Sequence, residues 1–394
     1  DDDEDDEDER IGRFENGTQG RFVSFEVENS EINNHTYTGV NETVRNFEKI
    51  TIGNFSIDEM DVDDHEIEIE GDEEGDDVEL VFYDMANSLF KIDLELEEGT
   101  KNISFELGDL EVSETEMTQE KQSIVNLTYS DFKAQLISRT EGEEDEEEET
   151  SLGLQKDGRY LNYSAKGDGD AMLVFRMIEG KKEIGGEGTG GAEGRSASEM
   201  ISKGIAEGEI GGEVSIEKSG NGYKQASVSY TRMNLMSRVE DNDRVRIMVS
   251  SKKLGDQGKI VIADISSNMV DVSSTDELDV KLDDKDLSLA EDYHDLLDTS
   301  DGSEYMLLRG QDNLQLLIMV PHFSTHLITI EQGLDSINDV VGDWMFYVPT
   351  VLISTGFIAL SVLYKGRSGK KEPKGVYQKL MKKIKKGKQK KQNN

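Results

Sequence analysis

Cysteine is absent from the 394 residues, which excludes a disulfide scaffold, thiol catalysis and zinc fingers in one step. A chain of this size without disulfides must rely on its hydrophobic core. Cations are also scarce: residues 1–343 hold 84 Asp and Glu against 30 Lys and Arg, a balance of -54. A surface so acidic repels a phosphate backbone, which excludes nucleic acid as a partner of this region. There is no Gly-x-Ser-x-Gly elbow, and the Gly-rich run at 185–194 lacks the Gly-Lys-Ser/Thr of a phosphate loop. No initiating Met or apolar leader precedes Asp1, so the numbering is expected to start after processing.

The sign of the charge reverses near the C-terminus. From Lys365 onward there are 13 Lys or Arg and one acid, Glu372. Between the two blocks lies an uncharged stretch, residues 344–364, whose 21 residues would span about 31 Å as a helix, the thickness of a bilayer's hydrocarbon core. Trp344, Phe346 and Tyr347 stand at one end and Tyr364 at the other, where amphipathic rings prefer the lipid interface. Pro349 falls in the first turns, where it is tolerated. The flanking cations predict a single-pass cell-membrane protein with its N-terminus outside and its C-terminus cytoplasmic. The competing topology, a tail anchor, would send thirteen cations across the membrane.

Export has a second, independent indication. Seven of the eleven Asn residues in 1–165 begin an Asn-x-Ser/Thr sequon: Asn16, Asn34, Asn41, Asn54, Asn102, Asn126 and Asn162. None of the six Asn between 166 and 343 does. The motif accepts a glycan only in exported chains, so sugars are expected on the membrane-distal half. The 32% of charged residues, mostly acidic, suits high salt, which screens self-repulsion. A calcium-loaded or merely acidic protein at ordinary salt is the alternative.

Along the chain, residues 1–10 read as an acidic disordered arm. Alternation of apolar and polar residues begins at Arg21 in RFVSFEVE and continues through NHTYTGV, ITIGNFSI, HEIEIEG, VELVFYD and FKIDLELEEG. It resumes after the acidic run 141–150 in GRYLNYSA and DAMLVFRMIE. Such alternation marks half-buried antiparallel strands, and turns every eight to twelve residues suggest a sandwich or jelly roll. The fold class expected is mainly β, with two antiparallel β-sandwich or jelly-roll-like domains, a Gly-rich linker and a single C-terminal transmembrane helix. The predicted divisions are a glycosylated N-terminal β domain at 11–179, a Gly-rich linker with a short helix at 180–212 and a second β domain at 213–331. A membrane-proximal stem at 332–343, the span at 344–364 and a basic tail at 365–394 follow. Helices are predicted over 197–207, opened by Ser196 and Glu199 as a capping box, and over 287–297.

The segments AEGEIGGEVSIE (206–217), DRVRIMVSSKKLGDQGKIVIADIS (243–266) and EDYHDLLDTSDGSEYMLLRGQDNLQLLIMVPHFSTHLITI (291–330) resemble the ectodomain of membrane-anchored cell-surface glycoproteins of archaea. The opening GRFVSFEVENSEINNHTYTGV (20–40) resembles the start of the same proteins. Most of that family lacks an assigned activity, so the resemblance implies compartment and architecture, in a halophile's envelope, and transfers no catalytic residue.

Chemistry-bearing residues are few. The five histidines are His35, His65, His294, His322 and His326. Were 322–326 helical, His322 and His326 would share a face as metal ligands. Pro321 and the following LITI instead predict a strand, which separates the two by roughly 13 Å and makes them packed or rim side chains. Acidic clusters at Asp298, Asp301 and Glu304, and at Glu240, Asp241 and Asp243, match no complete EF-hand loop. Among so many acids a glycosidase-type pair cannot be singled out. No metal, cofactor or catalytic residue is therefore assigned. In the tail, Val376, Tyr377, Leu380, Met381 and Ile384 recur at helical spacing among lysines, the pattern of an amphipathic helix resting on the anionic inner leaflet. A plain solvated stop-transfer tail is the alternative. The expected function is a non-enzymatic structural or interaction role in the cell envelope, with membrane lipid and other envelope proteins as partners. The alternatives are a membrane-tethered sensor or solute-binding receptor and, behind it, a surface hydrolase.

Overall fold

Period-two burial turns most of this sequence into strand. In Thr100–Leu107, Lys101, Ile103, Phe105 and Leu107 are buried while Asn102, Ser104 and Glu106 face outward, the arrangement a pleated chain adopts with one face on a core. The computed structural model describes residues 10–332 apart from 14–21, 29, 40–42, 54–55, 63–65, 74–75, 85–86, 97–99, 119–120, 142–150, 168, 179–181, 184–196, 220–221, 241–243, 252–253, 255–257, 270–277, 299–301 and 310–312. The described chain is mainly β, in several largely antiparallel sheets.

The first fifteen strands are β1 (Arg10–Arg13), β2 (Phe22–Glu28), β3 (Glu31–Thr38), β4 (Thr43–Ile52), β5 (Ser56–Val62), β6 (Glu66–Glu73), β7 (Asp76–Tyr83), β8 (Ser88–Leu96), β9 (Thr100–Leu107), β10 (Glu111–Thr118), β11 (Gln122–Tyr129), β12 (Phe132–Glu141), β13 (Ser151–Asp157), β14 (Tyr160–Lys166) and β15 (Gly169–Met177). They form a seven-stranded sheet, β1-β2-β3-β4-β9-β14-β13, and an eight-stranded sheet, β10-β11-β12-β15-β8-β7-β6-β5. One apolar core lies between these sheets, with Phe25, Phe47, Phe82, Phe90, Phe105 and Phe175 at its centre. Phe25 stacks on Phe82 at 4.0 Å and Phe90 on Phe175 at 5.3 Å, offset contacts that aromatic rings favour.

The remaining elements are β16 (Lys182–Glu183), α1 (Ala197–Ala206), β17 (Ile210–Ser219), β18 (Gly222–Ser229), β19 (Asn234–Val239), β20 (Val245–Ser250), β21 (Lys259–Ser266), β22 (Leu278–Leu282), β23 (Lys285–Asp286), β24 (Ser288–Leu289), α2 (Tyr293–Leu297), β25 (Glu304–Arg309), β26 (Asn313–Val320) and β27 (Thr325–Gln332). A third sheet runs β16-β25-β26-β21-β17-β18, with β24 beside β25, and a fourth runs β19-β20-β27-β22-β23. Val214, Val261, Leu316, Ile318, Ile328 and Ile330 fill the space between these two. Among the described residues two pairings are parallel, β17 with β21 and β24 with β25.

A further apolar layer joins the two sheet pairs. Val81, Ile137 and Val174 of the eight-stranded sheet, Ile201 and Ile205 of α1, and Val228, Ile262 and Leu317 of the third sheet belong to it. Residues 1–334 are thereby one compact unit. Gly204 lets α1 approach closely, since a Cβ there would sit 2.4 Å from the Tyr293 hydroxyl oxygen.

Two sequence expectations are corrected. The helix predicted over 287–297 is confined to Tyr293–Leu297, because Asp292 caps it by accepting from the His294 and Asp295 amides. The residues before it are drawn off as β24, beside β25. The alternation read from sequence marked no strand between 100 and 141, where β9 to β12 lie. Among the described residues no helix is long and apolar enough to cross a membrane. The span 344–364 and the tail residues Val376, Tyr377, Leu380, Met381 and Ile384 lie outside the described residues, as does Ser196.

Candidate functional site

The solvent face of the seven-stranded sheet gathers three sequons. Asn34 on β3 is exposed and occupies the left-handed region (φ 54°) at a bulge between β2 and β3, a conformation Asn tolerates better than most residues. Its Nδ2 donates to Glu26 at 2.7 Å. Asn102 and Asn162 lie on neighbouring strands whose sequons run antiparallel: Asn102 pairs with Ser164, and Ser104 with Asn162. The hydroxyl residue of each motif thus stands opposite the asparagine of the other, and Ser104 Oγ donates to Asn162 Oδ1 at 2.7 Å. Asn102 is exposed and Asn162 half-buried.

The same face carries Lys49–Glu31 at 2.6 Å, Arg45–Glu48 at 2.8 Å and Arg159–Glu106 at 3.5 Å. A shallow depression of ≈ 420 Å³, lined by Glu26, Asn34, Glu48, Lys49, Glu106 and Arg159 among others, opens beside Asn34. Its walls are polar throughout, unlike the apolar pockets that hold small molecules.

Asn126 is placed differently. It lies half-buried on β11, facing away from the first core, and its Oδ1 accepts from Gln135 Nε2 at 2.7 Å. Gln135 is buried and also takes the hydroxyl of Ser202 from α1. Asn16, Asn41 and Asn54 lie outside the described residues.

The expected strand separation of the two histidines is overturned, while His326 is packed and His322 lies at the rim as expected. β27 begins only at Thr325, so His322 sits in the preceding turn and folds back, bringing its ring centroid to 4.7 Å from that of His326. His326 Nε2 lies 3.2 Å from both His322 Nδ1 and Ser324 Oγ, and His326 Nδ1 lies 2.6 Å from Asp283 Oδ2. Asp283 is itself anchored, accepting from the Leu327 amide on Oδ1 at 2.9 Å and donating its own amide to the Leu327 carbonyl at 2.8 Å. Sequence spacing assumed one continuous strand and missed this cluster; the Pro at 321 was the available sign of a break.

A second buried polar cluster links the sheet pairs. Glu213, fully buried on β17, accepts from Asn87 Nδ2 at 2.8 Å and from the Tyr230 hydroxyl at 2.7 Å, and pairs with Arg176 at 3.4 Å. The same Asn87 amide donates to Asp264 at 2.6 Å, and Asp264 also accepts from Asn313 at 2.7 Å. Burial and the Glu213 charge hold the Tyr230 hydroxyl well above its ordinary pKa. Two carboxylates thus converge, both buried between the sheet pairs. Of the acidic clusters singled out in the sequence, Glu240 is engaged by Arg246 at 3.3 Å and Glu304 by Ser288 at 3.0 Å. Asp241, Asp243 and Asp301 lie outside the described residues. No protein-family model matches this chain, and no curated protein matches it significantly.

Proposed function

We infer that the chain is a single-pass cell-surface glycoprotein of an archaeal, halophilic kind, with a structural or interaction role in the envelope and no turnover of an external substrate. The observation that carries this reading is the convergence of Asn34, Asn102 and Asn162 on one solvent face. Of the four described sequons three share this face, and Asn126 lies on the other sheet. The sign change across 344–364 supplies the orientation. In this reading the two sheet pairs are two sandwich-like domains displayed above the membrane, linked through the Gly-rich segment, with glycans and acidic surface making the contacts to other envelope proteins. The basic tail rests on inner-leaflet lipid. The polar walls of the depression beside Asn34 favour this over a receptor for an apolar ligand.

Topology is tested with intact cells of the native host. Added protease should digest the acidic region while an antibody epitope within 365–394 stays protected. Protection of the acidic region with loss of the tail epitope would overturn the reading.

A further inference from the structure

We propose that this protein cuts its own chain between Phe323 and Ser324. Ser324, His326 and Asp283 stand in the order in which an imidazole removes a hydroxyl proton while a carboxylate fixes the imidazole tautomer. Ser324 Oγ is 3.2 Å from His326 Nε2, and Asp283 Oδ2 is 2.6 Å from His326 Nδ1. The His326 ring is buried and Asp283 is pinned by the Leu327 amide, so the base has one orientation. Asp283 and Asp284 both hold positive φ (51° and 64°) in the turn between β22 and β23, as a two-residue hairpin requires. That turn aims the carboxylate at β27.

The carbonyl that such a hydroxyl can always reach is the one preceding it, through a five-membered ring. Tethering replaces substrate binding. His326 takes the proton from Ser324 Oγ as Oγ bonds to the Phe323 carbonyl carbon. The bond from that carbon to the Ser324 nitrogen then breaks, and His326 returns the proton to the departing nitrogen. The product is an ester between Phe323 and Ser324 Oγ, with a free Ser324 amine. Water attacks the ester carbon, its proton passing through His326 to Oγ, and Phe323 leaves as a carboxylic acid. One water is consumed, one peptide bond is lost and nothing is oxidised or reduced. His322 Nδ1, 3.2 Å from His326 Nε2 and on an exposed residue, relays protons to solvent.

The surroundings suit both stages. Phe323 is buried against the core shared by the third and fourth sheets, which clamps the acyl half. Ser324 and Thr325 are exposed, so water reaches the ester. After the cut, β27 remains between β20 and β22, with Ile328 and Ile330 buried, so the halves stay together. On the reading proposed above, a covalent membrane anchor becomes one held by a strand; the cut itself does not depend on a membrane.

The test is denaturing electrophoresis and N-terminal sequencing of the full purified chain and its variants. Wild type should give two pieces, the smaller beginning at Ser324, at a rate independent of protein concentration. Hydroxylamine, which attacks esters, should accelerate the cut. Ser324→Ala and His326→Ala should remain single chains, while Ser324→Cys should still be cut through a thioester. Circular dichroism should show Ser324→Ala folded as wild type. A wild-type chain that stays whole in hydroxylamine overturns the proposal. So does scission of Ser324→Ala at the same bond, which would reveal an outside protease.

Discussion

His35 shows what a single buried ionisable side chain imposes on this protein. It is fully buried among Phe47, Phe82, Phe90 and Phe175, and desolvation lowers its pKa from 6.5 to about 3. The folded protein therefore keeps it neutral where the unfolded chain would already be protonated. Stability from this residue is complete above the unfolded value of 6.5 and drains away as pH falls toward 3, at about 1.4 kcal/mol per unit of depression. Replacing His35 by Leu orphans the Asn46 amide that meets it at 3.3 Å. The variant should lose about 1–3 kcal/mol at pH 8, yet fall less steeply on acidification. Thermal melts from pH 8 to 4 measure this; parallel curves for variant and wild type would contradict it. In the sequence His35 is one polar letter in an alternating strand. Its enclosure depends on phenylalanines from four other strands, which no local pattern reveals.

At the level of elements, the strength of the period-two signal follows how many faces of a strand are covered. β9 and β14 alternate cleanly because one side meets solvent. β12 does not: Ala134 and Leu136 enter the first core, while Gln135, Ile137 and Arg139 are buried in the joint behind it. With both faces covered the period-two signal vanishes in β12, whereas β9 and β11 do alternate in burial and their pattern was legible but not marked as strand. The joint also makes a measurable demand. Asn87 supplies one amide to both Glu213 and Asp264, so Asn87→Leu leaves two buried carboxylates short of a donor. Hydrogen bonds to charged groups contribute about 1.5–3 kcal/mol each, and the variant should lose about 2–4 kcal/mol. Denaturant midpoints at constant m-value would show it. Arg176→Ala, which strips the ion pair from fully buried Glu213, should cost at least as much. Midpoints unchanged in both variants would mean that the sheet pairs do not depend on this network.

For the whole molecule the governing quantity is a net charge of -42. Described ion pairs such as Lys49–Glu31 are part-exposed and worth about 0–1 kcal/mol each, too little to offset repulsion among so many carboxylates. Raising potassium chloride from about 0.1 M to above 1 M shortens the screening length from about 10 Å to about 3 Å, and the melting temperature should climb steeply over that range. A melting temperature indifferent to potassium chloride but raised by micromolar calcium would favour a metal-loaded protein instead. Fold class was legible at this scale from alternation and turns, whereas the burial of one sheet pair against the other was not, because its apolar residues are interleaved with polar ones from the joint.

The measurement closest to the central claim is glycopeptide mapping of the protein isolated from its native host. Asn34 and Asn102 are exposed, and Asn162 shares their face, so these three should carry glycans. Asn126, whose Oδ1 is held by Gln135 beneath α1, should be the least occupied of the four described sequons. Unmodified asparagine at 34, 102 and 162 would contradict a surface glycoprotein whose sugars cover one face of its first sheet.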